Sequence, residues 1–270
     1  MLHQILAESG EGGCIPPRRG EQHPGLLQVQ NREHGVPLYR TPVRIGIVTA
    51  SGKRVEEVWL TGQAEEETFV LPSQEEPLLV HFDEGNWLLK EWSYPKTTRE
   101  LLYQARNDDV IGRQWAVRQL GGGEAAGAVA GGASGITGAN SQVTETLTLV
   151  AQEDSFWAVR VAALESRAGL REPTPPVELF KAAGGGENSR VRRTAIRLLG
   201  ETRDPALVSL FRERFSADDS YQAQAETLRS IGRTGDRSQL PFLREALAVP
   251  SHQNVIRQAA EWAIAEISGR

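Results

Sequence analysis

From residue 113 onward a pattern returns at a nearly fixed interval: an arginine, an alanine three positions later and an aliphatic residue four beyond that, complete three times and partial twice. Arg113/Ala116/Leu120, Arg192/Ala195/Leu199 and Arg257/Ala260/Ile264 are complete sets, Arg160/Ala163 keeps the first two members, and Gln224/Thr227/Ile231 departs at the first two. The successive spacings are 47, 32, 32 and 33 residues. A period in this range marks a stacked supersecondary unit that cannot bury its apolar face alone. The long first interval holds residues 121–140, where eight of twenty residues are glycine, and this stretch reads as a flexible insertion.

Steps of three and four put the members of each set on one face of a helix. A shorter amphipathic segment precedes each of these helices, at 99–106, 144–151, 177–183, 205–215 and 238–248, and Asp108, Asp154, Asn188 and Asp219 stand where N-caps are needed. Pairs of helices at this period are expected to stack as a right-handed α-solenoid of about five pairs, the alanine allowing close approach and the aliphatic residues filling the seam.

Upstream, the pattern changes to short runs rich in Val, Ile, Trp and Phe, at 26–30, 43–49, 55–61, 67–71, 78–82 and 87–92, separated by turn formers such as Ser51-Gly52-Lys53 and Asp83-Glu84-Gly85. Strand after strand with no intervening helix implies antiparallel pairing in a small β-sandwich-like module. Val43, Ile45 and Ile47 share one face of their strand, with Arg44 and Gly46 on the other. Pro95 closes this region, and Thr97 with Glu100 forms a capping box that starts the first helix. The expected fold is α+β and multidomain: a leader at 1–24, the β-module at 25–95 and the HEAT-like α-solenoid at 96–270 with its Gly-rich insertion at 121–140. The leader combines Gly, Pro and charge without an apolar period and is expected to be flexible and foreign to the fold.

Composition excludes several functions. The net charge of −5 is uneven, with 6 Lys/Arg against 11 Asp/Glu in residues 25–95 and 22 against 21 in residues 96–270. A nucleic-acid partner calls for an excess of Lys and Arg to displace phosphate counterions, and that excess is missing. The single cysteine, Cys14, has no partner for an internal disulfide. No apolar run approaches the roughly 18 residues that span a bilayer, so a soluble chain is expected. The compartment stays open, with cytoplasmic favoured over periplasmic.

Val191-Arg192-Arg193-Thr194-Ala195-Ile196-Arg197-Leu198-Leu199-Gly200 resembles HEAT and phycobilisome-lyase-type repeats, a likeness that extends over about 175 residues. A second resemblance follows the order Val36-Pro37-Leu38-Tyr39-Arg40-Thr41-Pro42-Val43, Pro77-Leu78-Leu79-Val80-His81-Phe82-Asp83, Trp87-Leu88-Leu89-Lys90, Leu101-Leu102-Tyr103-Gln104 and Asp109-Val110-Ile111-Gly112-Arg113-Gln114-Trp115-Ala116. This order looks like the C-terminal half of bacterial zinc aminopeptidases of the aminopeptidase N (gluzincin) family, where a β-sandwich leads into a HEAT-like helical domain. The resemblance implies a scaffold that caps a peptidase domain and limits peptide access, with zinc held in a domain upstream. The alternative is a stand-alone HEAT-repeat adaptor for another protein.

Catalytic residues do not carry over. The five histidines, His3, His23, His34, His81 and His252, are never followed by Glu, so no HExxH zinc helix exists, and the only methionine is Met1. The expectation is that this chain by itself is not an enzyme and holds no cofactor. His81 and Asp83 could be pictured as a metal pair, but two ligands do not close a site, and a structural role is expected. Arg190, Arg193 and Arg197, with Arg192, could contact a partner or a peptide carboxylate; the plainer expectation is that such an arginine pairs with a neighbouring Asp or a helix C-terminus and the rest are solvated. Trp115, Phe156, Trp157 and Trp262 are expected in the core between repeats rather than in a base-stacking groove. Gly121-Gly122-Gly123 and Gly184-Gly185-Gly186 lack the Lys-Ser/Thr of a phosphate loop and read as linkers.

Overall fold

A computed structural model describes residues 3–9, 21–22, 24–29, 37–62, 66–69, 71–93, 96–122, 141–170, 172 and 174–269. The strands are β1 (His3–Ser9), β2 (Glu21–Gln22), β3 (Pro24–Val29), β4 (Thr41–Thr49), β5 (Gly52–Leu60), β6 (Glu66–Thr68), β7 (Leu71–Pro72), β8 (Leu79–Phe82) and β9 (Lys90–Ser93). The helices are α1 (Thr98–Asn107), α2 (Val110–Leu120), α3 (Ser141–Glu153), α4 (Trp157–Gly169), α5 (Val177–Ala183), α6 (Ser189–Glu201), α7 (Val208–Ala217), α8 (Tyr221–Thr234), α9 (Leu240–Ala246) and α10 (Val255–Ser268). Among the described residues, those through Asn107 form one compact unit and those from Asp108 form a second. Residues 123–140, most of the expected insertion, lie outside the described residues.

In the first unit an antiparallel sheet runs in the order β5-β4-β8. Thr49 pairs with Gly52, leaving Ala50-Ser51 as a two-residue hairpin loop. Val43, Ile45 and Ile47 are buried with Val58, Leu60, Leu71, Val80 and Phe82, as the alternation requires. Gly46, on the opposite face, is buried as well: a Cβ there would meet Glu84 Oε2 at 2.5 Å and His81 Cβ at 3.2 Å. Four further strands pair in the order β6-β3-β1-β9, with β1 antiparallel to β3 and parallel to β9. Residues 3–9, inside the segment expected to be a flexible leader, therefore form a strand. Averaged over 24 residues the composition is polar and Gly-rich, which hides the short Ile5-Leu6-Ala7 run. Ladder pairing on two sides then satisfies the backbone of that strand.

The last expected strand, 87–92, starts late. Asp83, Gly85 and Asn86 all have positive φ, at 53°, 89° and 53°. The buried Asp83 carboxylate accepts from Trp87 N at 3.2 Å, Leu88 N at 2.9 Å and Lys90 Nζ at 2.5 Å. Those bonds hold residues 87–88 in a loop, and β9 begins at Lys90. The capping box is present: Glu100 N donates to Thr97 Oγ1 at 3.2 Å and Thr97 N donates to Glu100 Oε2 at 3.1 Å. The helix it starts, α1, groups with the sheet unit and not with α2.

In the second unit α2, α4, α6, α8 and α10 pack in succession as one layer, and α3, α5, α7 and α9 each pack against the helix that follows, forming the other. This is a two-layer stack of helical repeats. Four residues after the repeat position, α2, α4, α6 and α8 each bury an aliphatic residue, Val117, Leu164, Ile196 and Leu228, and four further on stand Gly121, at the C-cap of α2, Gly200 on α6 and Gly232 on α8. A Cβ on Gly121 would lie 2.6 Å from Ser166 Oγ, one on Gly200 2.7 Å from Ser230 Cβ, and one on Gly232 2.8 Å from Ala263 Cα. Each glycine thus lets the next repeat's helix come to backbone distance. In α10 the matching positions are Glu261 and Ala265, both exposed. No helix among the described residues is long and apolar enough to cross a membrane.

Candidate functional site

The repeating arginine sits in the first turn of its helix and reaches back to a carbonyl in the loop just before it. Arg113 Nη1 donates to Asp108 O at 2.8 Å, Arg160 Nη1 to Asp154 O at 2.5 Å and Arg192 Nη1 to Glu187 O at 2.7 Å. Arg257 Nε donates to Leu247 O at 3.2 Å, and Gln224 Nε2 to Phe215 O at 3.0 Å. Two arginines also reach forward to the next repeat. Arg113 Nε and Nη2 hold Asp154 Oδ2 and Oδ1 at 2.8 and 3.1 Å. Arg192 Nε and Nη2 hold Asp218 Oδ2 and Oδ1, both at 2.7 Å, and Nη2 also reaches Asp219 at 2.8 Å. Bidentate pairing of this kind fixes direction as well as distance.

The Arg192–Asp218 rung shifts the acidity of both its members. The hydrogen bond to Asp218 raises the Arg192 pKa further above its ordinary value. Burial acts to raise the Asp218 carboxyl, but bonds from Arg192 and from Ser220 N outweigh it and hold the group below its ordinary range. N-caps are expected at Asp154 and Asp219, but the caps are Phe156 and Ser220, and the carboxylates at work here are those of Asp154 and Asp218. Each stands two residues before its cap, where it accepts from Phe156 N or Ser220 N at 2.8 and 2.9 Å while holding the arginine. Asn188 does cap α6, accepting from Arg190 N and Val191 N, and Asp109 caps α2 by accepting from Gly112 N.

The starts of the same helices make an exposed edge. Val110, Ile111, Phe156 and Tyr221 are all exposed there, Ile111 to 59%. Trp157 is half-buried and carries the Arg190 guanidinium 4.3 Å above its ring. Arg190, Arg193 and Arg197 lie on one face of α6 at steps of three and four, with Arg190 and Arg193 exposed. Arg197 is drawn into an ion-pair chain, donating to Glu165 on α4 at 2.8 Å and to Glu201 at 2.7 Å. The three arginines therefore share a face but not a role, since Arg197 already has two carboxylates. On α8, Arg229 and Arg233 hold the buried Glu226 at 3.5 and 2.9 Å, and Arg233 stands 5.6 Å from the Trp262 ring.

The aromatic residues expected between repeats are corrected here. Phe156 and Trp262 are 38% and 41% exposed, and Trp115 and Trp157 are half-buried. The fully buried positions of the seam are the small and aliphatic ones described above, and Trp262 lies at its margin, where a Cβ on Gly232 would come 3.0 Å from its ring. In the sheet unit His81 and Asp83 do not converge: His81 Nδ1 lies 3.1 Å from Glu84 Oε2, while Asp83 holds the turn to β9. Among the described residues no three His, Cys, Asp or Glu side chains gather as a metal site would require.

A family model for HEAT repeats matches residues 144–225 and 177–265, so α3 to α10 carry HEAT repeats. No curated protein matches. Among solved structures, the crystal structure of Legionella pneumophila aminopeptidase A in complex with aspartic acid aligns with a TM-score of 0.46 and 11% identity, over 99% of this chain and 33% of that chain. The chain thus spans about a third of the length of that structure.

Proposed function

We propose that this chain is a non-catalytic repeat scaffold that binds a polypeptide along the edge where α2, α4, α6 and α8 begin. The observation that carries the reading is the coincidence at that edge of four exposed apolar side chains with the Trp157–Arg190 stack and the exposed Arg193. Aromatic and arginine side chains supply most of the energy at interfaces, and both kinds stand exposed at the starts of these helices. The backbone beneath it is held by the rungs and the packed seam, so little ordering entropy is lost when a partner binds. A suitable probe is a fluorescein-labelled octapeptide of alternating Phe and Asp, followed by anisotropy. The expected result is saturable binding that weakens with salt and falls at least about tenfold in the Arg190→Glu/Arg193→Glu variant. Equal affinity in the variant and the parent chain would contradict the reading.

A finer reading makes this scaffold the C-terminal part of an aminopeptidase-N-like zinc enzyme, with the partner being a peptidase domain or its peptide. Its support is the motif order from Val36 through Ala116. Zinc would belong to an upstream domain, and the purified chain supplemented with zinc should not cleave a leucine anilide. Measurable turnover by the chain alone would overturn it, and an upstream coding segment with a HExxH helix would favour it over the adaptor reading.

A further inference from the structure

The rungs between repeats are not all complete, and the pattern of gaps is informative. Asp154 and Asp218 each stand six residues before the repeat position of their own helix. In the repeat after Arg160 that place is taken by Gly186, and in the repeat after Gln224 by Ser251. At Gln224 both cation and anion are gone, so the rung is neutral. At Arg160 the cation remains without its anion. Nη1 of Arg160 donates to Asp154 O, and among the described residues no carboxylate meets its Nε or Nη2. Glu187, one residue beyond Gly186, is exposed and its backbone carbonyl serves Arg192. Arg160 is half-buried and still reaches solvent.

We infer that the gap between Arg160 and Gly186 is a binding site for a side-chain carboxylate of a partner polypeptide, an inference that rests on the scaffold reading above. The filled rungs are its template: a planar carboxylate taken by Nε and Nη2 at 2.7 to 3.1 Å. Trp157 lies one helical turn before Arg160, with Arg190 stacked on it. A carboxylate entering the gap therefore meets a second cation nearby, and the residues flanking it on the partner reach Phe156 and Trp157. The planar fork of arginine selects carboxylate geometry, and the partner is an acidic segment with apolar or aromatic neighbours.

The test uses the full chain, the Phe-Asp octapeptide and its Phe-Asn counterpart, each with a free or amidated C-terminus. The Gly186→Asp variant restores the missing carboxylate; Gly186 has no positive φ, and a Cβ there comes no nearer than 3.3 Å to Ala183 O. The expected results are a higher Tm and at least about tenfold weaker octapeptide binding in Gly186→Asp, and a similar loss in Arg160→Ala. Amidation should change nothing, and the Phe-Asn peptide should bind about tenfold more weakly than the Phe-Asp peptide. Unchanged affinity in Gly186→Asp would overturn the inference, as would binding that needs a free C-terminus. Should Gly186→Asp bind normally while Arg190→Glu/Arg193→Glu does not, the site fails and the scaffold reading stands.

Discussion

Asp218 joins two pieces of backbone with one carboxylate: the turn before α8 directly and, through the guanidinium of Arg192, the loop before α6. Its side chain is 2% exposed. Removing Asp218 takes the bidentate partner from Arg192, which keeps Asp219 and the Glu187 carbonyl, and leaves Ser220 N without its acceptor, a loss of about 1–3 kcal/mol. Asp218→Ala should lower the unfolding free energy by roughly that amount in a denaturant titration, whereas Asp219→Ala, whose side chain is 94% exposed, should cost under about 1 kcal/mol. Because the Asp218 carboxyl is held below its ordinary value of 3.8, its contribution is fully present above that value and is lost as pH falls through the lower folded value. The stability gap between the parent chain and Asp218→Asn should then be widest near neutrality and close below about pH 4; a gap that ignores pH would count against the rung. The arginine of each rung is legible in the sequence because it repeats. Its partner is not, since Asp154 lies 41 residues from Arg113 and Asp218 lies 26 from Arg192, and only stacked helices make them neighbours.

Between elements, the close approach of α6 and α8 depends on Gly200. Gly200→Ala gains helix propensity of about 1 kcal/mol but drives a methyl against Ser230, and overpacking of this kind costs about 1–3 kcal/mol. The overpacking term should win, and a second change, Ser230→Gly, should recover part of the loss in thermal melts. The sequence shows the alanine and aliphatic positions of this seam directly because they keep the steps of three and four. The glycine positions hide among many other glycines of the chain, and become visible once the helices are aligned by their arginines. The same alignment sets α10 apart, with Glu261 exposed where the other four helices bury Val, Leu or Ile. A polar residue at that position lets this face of α10 meet water. Glu261→Leu should therefore promote concentration-dependent self-association in sedimentation velocity, without loss of helix content by circular dichroism.

Over the molecule as a whole, two kinds of periodicity separate two kinds of unit. The alternation at Val43, Ile45 and Ile47 defined the sheet core, while β1 escaped detection because its pairing partners, β3 and β9, are remote in sequence. The exposed edge was harder to foresee. Aromatic letters near helix starts read as core in the sequence, and only the packed helices show Phe156 and Trp262 exposed, while Arg190 gains its meaning from Trp157, 33 positions earlier on another helix. The central claim is that this edge, and no reactive centre, is what the chain offers to a partner. Hydrogen–deuterium exchange with and without saturating Phe-Asp octapeptide tests it most directly. Protection should gather in residues 108–116, 155–163, 187–196 and 219–226, where the second helices begin; protection confined to the sheet unit, or none in these four segments, would contradict the claim.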